Sequence, residues 1–203
     1  MKTSLLPHVR WKNIVIIVML FLLTSYSLSA KIEQLSLGSS LSFSAMNHLL
    51  IDITRTDGTN YDKAAGNILT FCPATIQGKR RFYSLTLKRF EINKTPLNNG
   101  HRYRKFVGLG LGLDFGIILH NQSSITVGIS SGIGELDHTD NKEGFVAIHC
   151  TPQIPLYRSH HQTLCLTLPF SVLYRKNMIN PSIGVGLSIQ SNFVVYRRKK
   201  GAV

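Results

Sequence analysis

Residues 106–120 read Phe-Val-Gly-Leu-Gly-Leu-Gly-Leu-Asp-Phe-Gly-Ile-Ile-Leu-His. Val107, Leu109, Leu111, Leu113, Phe115, Ile117 and Leu119 recur at every second position, while Gly108, Gly110, Gly112, Asp114 and Gly116 fill the places between. Period two is the mark of a β-strand, since successive side chains point to opposite faces. The two faces are unequal. One is a wall of large apolar side chains, and the other is almost bare. A sheet that packs one face on a core exposes a polar, charged face to water. Here the face opposite the leucines carries one charge and hardly any volume.

The same pattern spreads outward from this stretch. In residues 124–136, Ile125, Val127, Ile129 and Ile133 oppose Thr126, Gly128, Ser130, Gly132 and Gly134. Val146, Ile148, Cys150, Ile154 and Leu156 oppose Ala147, His149, Thr151 and Gln153. Leu164, Leu166, Leu168, Phe170, Val172 and Tyr174 oppose Cys165, Thr167, Ser171 and Arg175. Ile183, Val185, Leu187 and Ile189 oppose Gly184, Gly186, Ser188 and Gln190. Toward the N-terminus, Leu41, Phe43, Leu49, Ile51 and Ile53 share a parity, and Tyr83, Leu85 and Leu87 oppose Ser84, Thr86 and Lys88. Residues 64–76 complete the set as the least regular strand, with Pro73 inside it, where a ladder donor is missing. The total is eight strands.

Two arrangements alternate in this way, a β-sandwich and a closed barrel in lipid. The small, uncharged second face favours the barrel, whose apolar residues face hydrocarbon while the polar set fills the lumen. The connections also alternate in length. Residues 77–80, 120–123 and 158–162 are short links, whereas 56–63, 93–104, 137–144 and 175–181 are expected to form longer loops. Short turns at one end and long loops at the other are a barrel's signature. The fold class is therefore all-β: an antiparallel up-and-down transmembrane β-barrel of about eight strands. A soluble β-sandwich that binds a ligand is the alternative.

Composition agrees. Hydrophobic residues make up 43% and charged residues only 16% of the 203, too few charges for a disordered chain or an ordinary soluble surface. No apolar run after residue 30 reaches the roughly 20 residues a membrane helix needs. The formal charge is +13; Lys2, Arg10 and Lys12 account for three of these, leaving +10 on residues 31–203. The bases are scattered except at 79–81 and 197–200, and no basic helix or nucleic-acid motif accompanies them, so no nucleic acid is expected as a partner.

Residues 1–30 read as a secretory signal peptide: a basic start, an unbroken apolar run over 14–23, then a small, polar stretch over 24–30. Cleavage after Ser29 or Ala30 would start the mature chain at Ala30 or Lys31, with residues 31–203 as the barrel domain. No cysteine near the junction suggests lipidation.

The leader, the size and the strands, above all Gly-Leu-Gly-Leu-Gly-Leu at 108–113 and Pro-Ser-Ile-Gly-Val-Gly-Leu-Ser at 181–188, resemble the small outer-membrane barrels of the OmpA/OmpX type. The resemblance implies the outer membrane of a Gram-negative bacterium. It also implies outer-membrane lipid, lipopolysaccharide and the barrel insertion machinery as partners. Such proteins commonly end on a terminal aromatic; the last strand aromatic here is Tyr196, followed by seven residues.

Candidate chemistry is sparse. The glycines at 108, 110 and 112 are spaced strictly by two with no helix after them, so they make a smooth inner wall and not a nucleotide loop. Asp52, Lys88, Asp114, His149 and Gln190 are all expected to point into the lumen, where charges need partners. A polar network among them is the expectation. Some barrels of this size modify lipid A with a serine–histidine pair near a rim; His120 and Ser123 are close in sequence but sit in an expected short turn, with no acid beside them. His160 and His161 are adjacent turn residues and poor metal ligands. No catalytic residue, metal or cofactor is assigned, and the chain is expected not to be an enzyme. Of the three cysteines, parity sends Cys150 outward and Cys165 inward, which argues against a disulfide between them.

Overall fold

A computed structural model describes residues 34–53, 61–93, 105–136, 142–191 and 194–197. The expected leader lies outside them. The described residues contain strands and turns and no helix: β1 (Gln34–Asp52), β2 (Tyr61–Gln77), β3 (Arg81–Ile92), β4 (Phe106–Ile118), β5 (Ser124–Leu136), β6 (Lys142–Arg158), β7 (Gln162–Thr167), β8 (Phe170–Arg175), β9 (Met178–Ser191) and β10 (Val194–Arg197).

All pairings are antiparallel, and β1 to β6 follow one another in order. Both β7 and β8 lie between β6 and β9, so they are two halves of one stave. The break falls at Leu168 and Pro169. It is bridged by Leu168 N donating to Pro152 O at 3.0 Å and Gly184 N donating to Pro169 O at 2.9 Å. β9 then pairs with β1 from Ser40 to Asp52, and β10 continues along β1 from Gln34 to Ser36. The sheet closes on itself as a ring of eight staves. Closure removes every edge, which two stacked sheets could not do.

Pro73 is accommodated by a bulge. Phe71 pairs with Leu87 and Ala74 with Leu85, so Cys72 and Pro73 together oppose Thr86. The facing strand shifts between Leu37 and Ser40 at the same height. An extra residue reverses the side-chain parity beyond it. Ile68, Thr70 and Cys72 point inward above the bulge, and Thr75 and Gln77 do so below it.

One end of the ring carries tight turns, closed by Gly78 N to Arg81 O, Leu119 N to Ser123 O and Ser159 N to Gln162 O, each at 2.8 Å. At the other end one expectation fails. Residues 175–181 do not form a long loop: Arg175 ends β8 and Met178 begins β9, leaving Lys176 and Asn177 as the turn, with Lys176 at φ 38°. Pro181, the last residue of that expected loop, lies inside β9 opposite Val172. Asn180, next to it, is fully buried and receives a hydrogen bond from Arg175 Nε at 3.4 Å.

The two faces divide as parity requires. Leu41, Phe43, Leu109, Leu111, Ile129, Ile133, Ile148, Val172, Val185 and Leu187 are exposed on the outer wall. Ser44, Thr86, Ser130, Thr167, Ser171 and Ser188 are buried inside, with the glycine-rich faces of β4 and β5.

Candidate functional site: the barrel lumen

The lumen is layered. Nearest the long-loop end, Met46, Leu50, Ile68, Phe90, Ile92, Phe106, Phe145 and Leu173 form a buried apolar plug. Phe145 sits edge-on to Phe90 and Phe106, with ring centroids 5.3 and 5.9 Å away, the favoured aromatic geometry. The glycine wall makes room for these rings: a Cβ at Gly108 would stand 2.7 Å from the Phe145 ring. Arg175 lies over Phe106, with Cζ 4.6 Å from the ring centroid, and pairs with Glu143 Oε2 at 3.2 Å. His48 is buried at this end, and among the described residues neither of its ring nitrogens has a partner.

Below the plug is a charged knot. Asp114, Gly128 and His149 occupy one rung across β4, β5 and β6. Gly128 has no side chain, so Asp114 and His149 meet above it, with Nε2 2.9 Å from Oδ1. Lys88 Nζ donates to both Asp114 oxygens at 3.2 Å and lies against the His149 ring, in contact with Nε2. Thr86 Oγ1 adds a donor to Oδ1 at 3.4 Å. Lys88, Asp114 and His149 are all buried. The Lys88 ammonium and the Asp114 carboxylate satisfy one another, with Thr86 as a further donor to the carboxylate, which is what makes such charges tolerable out of water.

Of the five residues expected to share a network, these three meet and two do not. Asp52 ends β1 at the long-loop side, opposite Met178. Gln190 lies toward the tight turns, where its Nε2 donates to Gln153 Oε1 at 2.6 Å. Parity places a residue inside or outside but not at a height. The plug and the Arg175–Glu143 pair were missed in the sequence, although the inward parity of Phe145, opposite to Val146, was a usable signal.

Between the knot and the tight turns the lumen is hollow. A cavity of about 380 Å³ opens among the turns and is walled mainly by serine, threonine and glutamine side chains. The expectation of an interior filled throughout by side chains therefore holds only for the half toward the long loops.

The remaining candidates are dispersed. His120 is exposed in its turn, while Ser123 is buried and its main chain closes that turn. His160 and His161 are exposed. Among the described residues no group of three or more His, Cys, Asp or Glu could hold a metal. None of the three cysteines is in a disulfide; Cys72 and Cys165 are buried in the lumen and Cys150 is half-buried.

No family model matches the chain, and no curated protein matches it. Among solved structures it is similar to Neisserial surface protein A (NspA), at 11% identity and a TM-score of 0.49, over 78% of this chain and 99% of that one. It is also similar to Ail, the attachment invasion locus protein of Yersinia pestis, at 10% identity and a TM-score of 0.49, over the same shares.

Proposed function

We propose that the chain is a non-enzymatic barrel of a bacterial outer membrane, embedded through its outer wall, with its external contacts made at the long-loop end. The observation that supports this most is the outer wall. Leu109, Leu111 and Ile133 are 63%, 59% and 61% exposed, and exposed leucine, isoleucine, valine and aromatic side chains continue around the ring. Soluble monomers rarely expose contiguous apolar patches above a few hundred Å², whereas a bilayer stabilises this surface at roughly 25 cal/mol per Å². Backbone polar groups are satisfied within the closed sheet, the condition for strands to cross hydrocarbon. Lys88, Asp114 and His149 are tied to one another and Arg175 to Glu143, inside the wall and away from the outer face, which favours a structural role for them over catalysis. Lipopolysaccharide around the wall and the insertion machinery as a transient partner belong to the same reading.

The test is fractionation with gel migration. The protein should be recovered with outer membranes and run faster unheated than boiled, as a folded barrel does. Recovery in the soluble periplasm would overturn the proposal, and a lipid A mass spectrum that changes with the gene would overturn its non-enzymatic part.

A further inference from the structure

We propose that the cavity at the tight-turn end is a binding site for a small hydroxylated oxyanion, a polyol carrying one phosphate or carboxylate. The proposal needs the closed barrel but not its placement in lipid.

Size comes first. A volume of about 380 Å³ lies within the range of small-molecule sites, roughly 300–1,000 Å³. The cavity is blind, because the Lys88–Asp114–His149 knot and the apolar plug close it above. A solute entering among the turns is held and not passed through.

Charge selects an anion. Lys79 and Arg158 line the mouth, both are exposed, and neither has an ion-pair partner among the described residues. The one carboxylate in the lining is Asp114, whose oxygens are already met by Lys88, His149 and Thr86. The free positive charges at the mouth are thus uncompensated from within. Lysine and arginine are the side chains suited to phosphate and carboxylate.

The walls select hydroxyl groups. They carry serine and threonine hydroxyls and glutamine amides, which both donate and accept. Thr126 gives an independent sign of an absent partner. It is 5% exposed, it lines the cavity, and its Oγ1 has no hydrogen-bond partner. A buried hydroxyl left unsatisfied is costly, and a ligand hydroxyl in the cavity would relieve it.

The experiment is calorimetric titration of the full chain, refolded in detergent micelles and checked for folding by heat-modifiable migration. Glycerol 3-phosphate, glycerate and glycerol are the three probes. At least one anion should bind saturably and at least about tenfold more tightly than glycerol. The stronger of the two anions tells phosphate from carboxylate. K79Q/R158Q should weaken that binding about tenfold or more, since charge-assisted contacts are lost. T126V should weaken it severalfold while leaving the preference for the anion. R80Q/R81Q, which alters nearby exposed cations outside the cavity lining, should bind as the parent does. No saturable binding by folded protein, equal binding of glycerol and the anions, or equal losses in both double variants would overturn the site.

Discussion

Lys88, Asp114 and His149 show what a single position can and cannot reveal. Their place inside the barrel was legible, because each has the opposite parity to its apolar neighbours. Their meeting was not, because it depends on how three hairpins align. Once Asp114, Gly128 and His149 are set on one rung, the contact follows. Removing Lys88 or Asp114 leaves a buried charge without its counter-charge. Lys88→Met is therefore expected to destabilise the barrel by about 3–5 kcal/mol, read from urea unfolding in micelles. Replacing Lys88 and Asp114 together by apolar residues of similar size should cost much less than the sum of the single changes. Gly128 is the second test at this scale. A Cβ there would lie 2.3 Å from Asp114 Oδ1 and 2.7 Å from the Leu113 carbonyl oxygen. The carbonyl belongs to the sheet and cannot move aside, so Gly128→Val should cost about 1–3 kcal/mol by overpacking in the same assay. Gly128→Ala with unchanged stability would show that the rung is looser than described.

At the scale of the strand, period two carried nearly all the information. Both faces of β4, β5 and β9 follow the alternation because nothing interrupts it. The two prolines sit in the sheet in different ways. Pro73 marks β2 as the least regular strand in the sequence, and the bulge between Phe71 and Ala74 absorbs it within a strand of 17 residues. Pro181 ends the loop expected over 175–181, but it lies opposite Val172 in a ladder that continues past it. A proline's missing donor is harmless where the bond is not needed, and one sequence does not show where that is. On the proposed reading, depth along a strand should decide tolerance. Leu111→Arg, at mid-strand, is expected to cost about 2–4 kcal/mol, and Ile117→Arg, one residue from the end of β4, well under half of that. Unfolding in lipid vesicles measures both, and equal costs would argue against a depth-dependent environment.

For the whole molecule, the number and antiparallel order of the staves are legible in the sequence, but what the lumen holds is not. Interior volume depends on the size of side chains from strands distant in sequence. Phe90, Phe106 and Phe145 fill one half, while serines and threonines leave the other open. Orientation is testable on cells. A cysteine placed at Asn141, between β5 and β6, should be labelled by an impermeant thiol reagent on intact cells, and one at His160 should not. The reverse pattern would mean the barrel points the other way.

The central claim is that a closed sheet turns its apolar wall to lipid. Spin labels placed singly at Val107, Leu109, Leu111, Leu113, Phe115 and Ile117, in protein reconstituted into bilayers, test it most directly. Collision with oxygen should rise to a maximum near Leu111 and fall toward both ends, while collision with a water-soluble nickel complex runs the opposite way. A nickel complex that reaches Leu111 as freely as Ile117 would contradict the account.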